Sequence, residues 1–120
     1  MSAVDDFFRD PPASRQLYEA VARLIDEIGP AERSVTKSQI AFRRVRSFAW
    51  VWMPGQYLRG RQTAPLVLSL VFPQRDPSRR WKEIVEPARG RYMHHLELNS
   101  SNDLDAEVRG WLRSAWEQAG

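Results

Sequence analysis

Apolar residues recur at helical spacing near both ends of the chain and at strand spacing between them. Near the N-terminus, a stripe with steps of three and four residues consists of Leu17, Val21, Leu24, Ile25 and Ile28. This stripe follows Asp10-Pro11-Pro12 and stops at Gly29-Pro30, which predicts a helix of about 16 residues. The same spacing returns, behind several N-cap candidates at residues 100–103, in Leu104, Val108, Trp111, Leu112 and Ala115. We therefore expect one amphipathic helix at each end.

The segments between the helices are short and rich in aromatic and β-branched residues, as strands are. Residues 48–53 and 66–72 are the clearest strands, and residues 94–98 are the last one. Residues 34–36 and 40–42 predict either one interrupted strand or two short ones. Residues 78–87 predict a short helix instead, with Ser78 as its N-cap and Pro87 as its stop.

This order of elements predicts an α+β fold, an antiparallel sheet of about four or five strands with the N- and C-terminal helices packed on one face as a two-layer sandwich. No repeat, linker or low-complexity segment divides residues 1–120, so we expect a single domain. Alternation within residues 66–72 places leucines on one face and Val67, Ser69 and Val71 on the other. A sheet covered on one side usually has a polar outer face. An apolar outer face suggests a ligand cleft, a second covering layer or a homodimer interface.

Cysteine is absent from the 120 residues, which excludes disulfides, Cys-ligated zinc and iron–sulfur clusters. We expect no cofactor. No uncharged apolar stretch approaches the roughly 20 residues that cross a bilayer, so no membrane partner is expected either. The acidic N-terminal segment lacks the basic and apolar regions of a signal peptide. These features predict a cytoplasmic protein.

Charge is distributed unevenly along the chain. Residues 33–91 hold 13 Lys and Arg against 3 Asp and Glu, a net charge of +10, whereas the remainder carries −7. Because the acidic ends are predicted helices and the basic middle is strand and loop, we expect the two to attract each other within the fold. Arginines interleaved with aromatic residues also suit single-stranded nucleic acid, so weak nucleic-acid binding by the basic segment is one alternative. The internal attraction argues against it, because it offsets most of the positive field.

The leading hypothesis is a binding or interaction domain rather than an enzyme, with a cleft for a small anionic or aromatic ligand. Seven residues provide the cationic, aromatic and imidazole groups that such a ligand needs, namely Lys37, Arg43, Arg44, Trp50, Trp52, Trp81 and His95. Lys and Arg pair with anions, and indole faces stack on aromatic rings. The competing interpretation is structural, with arginines keeping hairpin turns soluble and tryptophans forming core.

A second alternative is a metal-dependent or enzymatic domain centred on His95 and Glu97. These two residues point to the same face of a strand, whereas His94 and His95 point to opposite faces. A metal site normally requires three converging ligands, and this pair provides two. No Gly-x-Ser-x-Gly, His-Glu-x-x-His or Gly-x-Gly-x-x-Gly string occurs in the chain. We therefore expect neither a metal ligand nor a catalytic residue.

Five strings of sequence stand out together, TKSQIAFR at 36–43, FAWVW at 48–52, RWKE at 80–83, HHLEL at 94–98 and DAEVRGWL at 105–112. With them the chain resembles an uncharacterised bacterial family of domains of unknown function, some members of which are labelled predicted transport protein. The resemblance covers nearly the whole chain, from about Phe7 to Trp116. It implies no particular activity and no residue roles, because the family has no established activity.

Overall fold

Within residues 12–54 and 63–120, two α-helices lie on one face of a six-stranded antiparallel sheet. The computed structural model describes residue 4, residues 12–54 and residues 63–120. Helix α1 spans Pro12–Ile28, and helix α2 spans Ala106–Gln118. The strands are β1 Glu32–Val35, β2 Ile40–Arg43, β3 Ser47–Trp52, β4 Leu66–Phe72, β5 Glu83–Ala88 and β6 Arg91–Leu98. Their spatial order is β1-β2-β3-β4-β6-β5, so β5 forms an edge beyond β6. Within the described ranges, neither helix is long and apolar enough to cross a bilayer.

The predicted α+β class is confirmed, but the prediction of four or five strands is wrong because the sheet has six. Residues 34–36 and 40–42 correspond to two short strands, β1 and β2. Helix α1 begins at Pro12 as expected, and the preceding Asp10 and Pro11 lie outside the described residues. Helix α2 begins later than predicted, because its N-cap is Asp105, whose carboxylate accepts the N–H of Val108 at 3.1 Å.

The prediction of a helix at residues 78–87 is wrong, because strand β5 begins within this segment, at Glu83. This strand was not among those expected from the sequence. Ser78 does accept a backbone N–H two residues further on, as an N-cap would, at 3.2 Å. The turn does not continue into a helix, because the N–H of Lys82 donates to the carbonyl of His95 at 2.8 Å and pairing with β6 begins. Pro87 lies in this edge strand at a register shift, where a missing N–H is tolerated.

Strand register sorts the side chains of the sheet onto two faces. The packed face meets both helices and carries the buried side chains Leu66, Leu68, Leu70 and Phe72 of β4 and Leu96 and Leu98 of β6. Each fully buried side chain of this kind stabilises the fold by about 1.5–3 kcal/mol. The opposite face, which we call the open face, carries Trp50 and Trp52 of β3 and Ser69 of β4. Both helices join the core on the packed face, so no helix of the described ranges covers the open face.

His94 anchors the loop before β5 to the packed face. Its Nδ1–H donates to the carbonyl of Tyr92 at 2.9 Å, and its Nε2 accepts the N–H of Asp76 at 2.9 Å. Trp81 packs edge-on against the His94 ring, with centroids 4.9 Å apart, and donates its indole N–H to Asp76 at 2.9 Å. Burial of the ring lowers the pKa of His94, opposed by the Tyr92 carbonyl and by Asp76. The imidazole is therefore neutral at pH 7.

Trp116 joins the ends of both helices to the β2–β3 turn. Its indole N–H donates to the carbonyl of Pro30, just past α1, at 3.0 Å. The Arg44 guanidinium lies 3.6 Å from the centre of the Trp116 ring and donates to the Trp116 carbonyl at 2.8 Å. The next two backbone N–H groups of the turn both donate to the carbonyl of Ala119 at 3.0 Å. The turn therefore satisfies the carbonyl of Ala119 and gives the Trp116 carbonyl a second donor beside the N–H of Ala119.

Ion pairs connect the basic middle of the chain to the acidic helices. Arg80, in the loop before β5, contacts Asp105 and Glu107 at the start of α2, with N–O distances of 2.9 Å each. Arg33 of β1 pairs with Asp26 of α1 at 3.1 Å. Exposed pairs contribute at most about 1 kcal/mol each. They agree with the expected internal attraction, but the packed face supplies most of the stability.

Replacement of Gly29 by alanine should destabilise the fold. A Cβ at this position would overlap the Cζ2 and Cε2 atoms of Trp116, which would push the indole away from Pro30 and Arg44. Overpacking of this kind lowers the free energy of unfolding by about 1–3 kcal/mol. The matched control is Gly110→Ala in α2, where nothing lies within 4 Å of a Cβ and alanine should stabilise the helix by about 0.5–1 kcal/mol. Urea unfolding distinguishes the two, and a neutral Gly29→Ala would contradict the contact.

Stability should fall as the pH falls below about 6.5, because the unfolded chain then binds a proton that folded His94 resists. The folded pKa is lowered by burial, with nearby Arg75 lowering it further, so the stability is fully present above pH 6.5 and is lost toward acid. The slope cannot exceed about 1.4 kcal/mol per pH unit for one proton. Urea unfolding between pH 7.5 and 5.5 measures it, and His94→Gln should make the curve shallower without flattening it, because burial also lowers the pKa of His95. An unchanged slope in that variant would assign the effect to another group.

Candidate functional site

One row of side chains crosses the open face from β2 to β5. The register pairs Ala41 with Trp50, Trp50 with Ser69, Ser69 with His95, and His95 with Glu83. Neighbouring strands are about 4.8 Å apart, so the backbones at Trp50 and His95 are roughly 10 Å apart. The small side chain of Ser69 stands between them. The row therefore has a gap at its centre, and the Trp52 side chain reaches into its base to meet Ser69 and His95.

The gap opens into a cavity of about 430 Å³, which we call the open-face cavity. Its lining residues are Ser38, Gln39, Trp50, Trp52, Ser69, Met93 and His95. The two tryptophans on β3 form one wall, Met93 and His95 on β6 form the other, and the β1–β2 turn closes one end. The open-face cavity is larger than two cavities beside α2, which measure about 140 and 370 Å³.

A hydrogen-bond network connects the two walls through the floor. The indole N–H of Trp52 donates to Ser69 Oγ at 2.9 Å, and Ser69 Oγ lies 2.6 Å from His95 Nδ1. The rings of Trp52 and His95 meet edge to face, with centroids 5.9 Å apart and planes at 90°. Ser69 itself is 2% exposed, so its hydroxyl is held by the protein rather than by solvent. The network fixes both rings relative to the gap.

His95 is a neutral imidazole at pH 7. Burial lowers the pKa of its ring, and the positive charge of Lys82 and the neighbouring His94 lower it further, whereas Glu83 raises it. Desolvation is the largest of these effects, because burial disfavours the charged form of the ring. A neutral imidazole has one donor and one acceptor nitrogen, so it can recognise a ligand without adding charge.

Glu97 lies on the same face as His95, but it has a different partner. Its carboxylate contacts the Lys82 ammonium at 3.3 Å. Within the described residues, no group of three or more His, Cys, Asp or Glu side chains could hold a metal ion. The geometry therefore gives no support to a metal centre at the His95–Glu97 pair.

Trp81 does not reach the open-face cavity. It is 8% exposed on the packed face, where the centroid of its ring lies 4.1 Å from the centroid of the Trp111 ring. Its indole N–H is already bonded to Asp76. The structure thus gives Trp81 a place in the core and in the loop anchor.

The predicted cationic residues lie away from the cavity or at its margin. Arg44 stacks on Trp116 at the end of α2, and Arg43, also in that region, donates to the carbonyl of Val45 at 3.3 Å. Lys37 is exposed in the β1–β2 turn, next in sequence to the lining residue Ser38. Of the seven predicted residues, the structure brings together Trp50, Trp52 and His95.

Sequence reasoning missed the small and unbranched members of the lining, Ser69 above all. Ser69 is the polar residue in an otherwise apolar strand, LVLSLVF, and that interruption is the signal for it. Alternation alone places Ser69 on the open face but does not show which strands lie beside β4. Met93, Ser38 and Gln39 carry no signal of their own, because their roles depend on strand order and on the turn.

The family model described as "Domain of unknown function (DUF5655)" matches residues 4–119 of the chain. No curated protein and no solved structure matches the chain significantly. The match agrees with the resemblance carried by the sequence strings, and its description names no activity. The chain therefore belongs to the DUF5655 family of domains of unknown function.

Proposed function

We propose that this chain is a binding domain whose open-face cavity accepts a small, uncharged aromatic ligand. The observation that carries the proposal is the open-face cavity between the side chains of Trp50 and His95, above the Trp52–Ser69–His95 network. Aromatic pairs have ring centroids about 4.5–7 Å apart, so a bicyclic ring packed on Trp50 would span much of the roughly 10 Å to His95. A volume near 430 Å³ lies within the range of small-molecule sites.

The chemistry of the lining favours an aromatic ligand over an anionic one. None of the described lining residues is Lys, Arg, Asp or Glu, and His95 is neutral at pH 7. Two ammonium groups lie near its margin, but Lys82 is paired with Glu97, and Lys37 is exposed in the β1–β2 turn outside the lining. An anion entering the cavity would lose hydration without gaining an ion pair with a lining residue. An uncharged ring would instead gain contacts with two indole faces and a thioether.

A second copy of the chain is the competing occupant of the open face. An apolar sheet face can be covered by a partner sheet, and the sequence suggested a homodimer on that ground. A dimer would bury Trp50 and Trp52 against the partner and close the cavity. We propose the ligand rather than the dimer, because Ser69 leaves a recess with a polar floor where a flat interface would need a filled surface.

Nucleic-acid binding by the basic segment has less support than the cavity. Arg33 and Arg80 pair with carboxylates, and the Arg44 guanidinium stacks on the Trp116 ring. Those contacts use several of the guanidinium groups that phosphates would need. The cytoplasmic location expected from the sequence stays a prediction.

Indole is a suitable first probe, because it is uncharged, soluble and similar in size to the gap. We expect it to shift the indole N–H resonance of Trp50 in ¹⁵N-tryptophan-labelled protein. Trp50→Ala should weaken binding about five- to hundredfold, since loss of one stacking partner costs about 1–3 kcal/mol. The indole of Trp50 takes no part in the Trp52–Ser69–His95 hydrogen bonds, so its truncation leaves that network intact.

The matched control is Val45→Ala, which truncates a 67% exposed apolar side chain away from the cavity and should leave binding unchanged. Indole-5-carboxylate tests the anionic alternative, and tighter binding of this anion than of indole would contradict the proposal. Sedimentation velocity tests the second copy. A dimer that persists in Val45→Ala but dissociates in Trp50→Ala, with no indole bound by either form, would replace the ligand by a homodimer.

A further inference from the structure

The hydroxyl hydrogen of Ser69 determines the tautomer of His95. Ser69 Oγ accepts the indole N–H of Trp52, which can only donate, and its one other hydrogen-bond partner in the described structure is His95 Nδ1. If Nδ1 carried the proton, Ser69 Oγ would accept twice and its own O–H would be left without an acceptor at 2% exposure. A buried hydroxyl hydrogen without an acceptor lowers the stability of the fold. Ser69 therefore donates to Nδ1, and the proton of the neutral ring resides on Nε2.

The Nε2–H of His95 has no partner of its own in the described structure. Glu83 stands beside His95 in register, but no hydrogen bond joins its carboxylate to the ring. The ring is held in place, because Ser69 binds one edge and Trp52 meets it edge to face. Since His95 also lines the open-face cavity, a fixed donor stands beside the gap. An unmatched donor of this kind selects a ligand that brings an acceptor.

We propose that the ligand is an uncharged, planar heteroaromatic compound with a hydrogen-bond acceptor, a ring nitrogen or a carbonyl, at the edge that meets His95 Nε2–H. This inference rests on the proposed function and names the chemical class of its ligand. In this arrangement Trp50 supplies the stacking surface and His95 supplies the donor. Ser69 is a positioning residue, because it holds the tautomer without contacting the acceptor.

The tautomer is tested without any ligand. Long-range ¹H–¹⁵N spectra of the histidine rings at pH 7.5 distinguish a protonated nitrogen from an unprotonated one. We expect His95 with its proton on Nε2, and His94 with its proton on Nδ1 as an internal reference of the opposite kind. Ser69→Ala should convert His95 to a mixture of tautomers and leave His94 unchanged. A wild-type His95 with its proton on Nδ1 would overturn the inference.

The acceptor is tested with indole and 7-azaindole, which differ by one ring nitrogen that accepts hydrogen bonds. We expect wild-type protein to bind 7-azaindole about three- to tenfold more tightly than indole, the range of one net hydrogen bond. His95→Phe keeps a ring but removes the donor, so the two affinities should become similar. His95→Gln is the conservative control, because its amide can accept from Ser69 and donate to the ligand, and it should restore part of the preference.

The outcomes separate the inference from the proposed function. If indole and 7-azaindole both shift the indole N–H resonance of Trp50 and bind wild-type protein with equal affinity, the aromatic site stands and the donor role of His95 is wrong. If neither probe shifts Trp50, both the proposed function and the inference are wrong. A preference for 7-azaindole that survives in folded His95→Phe would also overturn the inference, because the donor would then lie elsewhere. The amide spectrum of each variant establishes that it is folded.

Discussion

The register of β4 between β3 and β6 is the constraint on which both the core and the candidate site depend. Side chains alternate along a strand, so a slip of one residue would turn Leu66, Leu68 and Leu70 outward and bring Ser69 into the core. Each exposed leucine would cost about 1.5–3 kcal/mol, and a buried unpaired hydroxyl would add to that. The register is held on both sides, with seven residue pairs to β6 and four to β3. The leucines that drive folding therefore also place Ser69 between Trp50 and His95.

His94 and His95 show how one strand gives adjacent identical residues different roles. His94 faces the core, where both ring nitrogens are bonded to backbone groups and the ring holds the loop before β5. His95 faces outward, where one nitrogen is bonded to Ser69 and the other has no partner in the described structure. Burial lowers the pKa of both rings. The difference lies in hydrogen bonding, since a fully satisfied histidine stabilises structure and a half-satisfied one leaves a polar group for a ligand.

The sequence predicts the helices well because a whole stripe of residues specifies each one, and it predicts the site only in part. Trp50, Trp52 and His95 were expected in one cleft and do line one cavity, because alternation places each of them on a definite face of its strand. The prediction that Trp81 lies in the same cleft fails, because Trp81 follows an irregular loop, where no period indicates the direction of its side chain. The wrong prediction of a helix at residues 78–87 has a similar cause, because it rests on local signals alone. Local capping by Ser78 is real, but a long-range partner, β6, decides the structure.

The edges of the sheet leave the open face as the described surface most suited to apolar contact. Edge strand β1 presents Glu32 and Arg33, and edge strand β5 presents Glu83, Glu86 and Pro87. Charge and proline on short edge strands oppose strand-by-strand association with another chain. The half-buried side chain of Trp50 has no comparable protection among the described residues, and exposed indole surface is costly in water. A ligand and a second copy would cover the same two indoles, so occupancy of the cavity by one excludes the other.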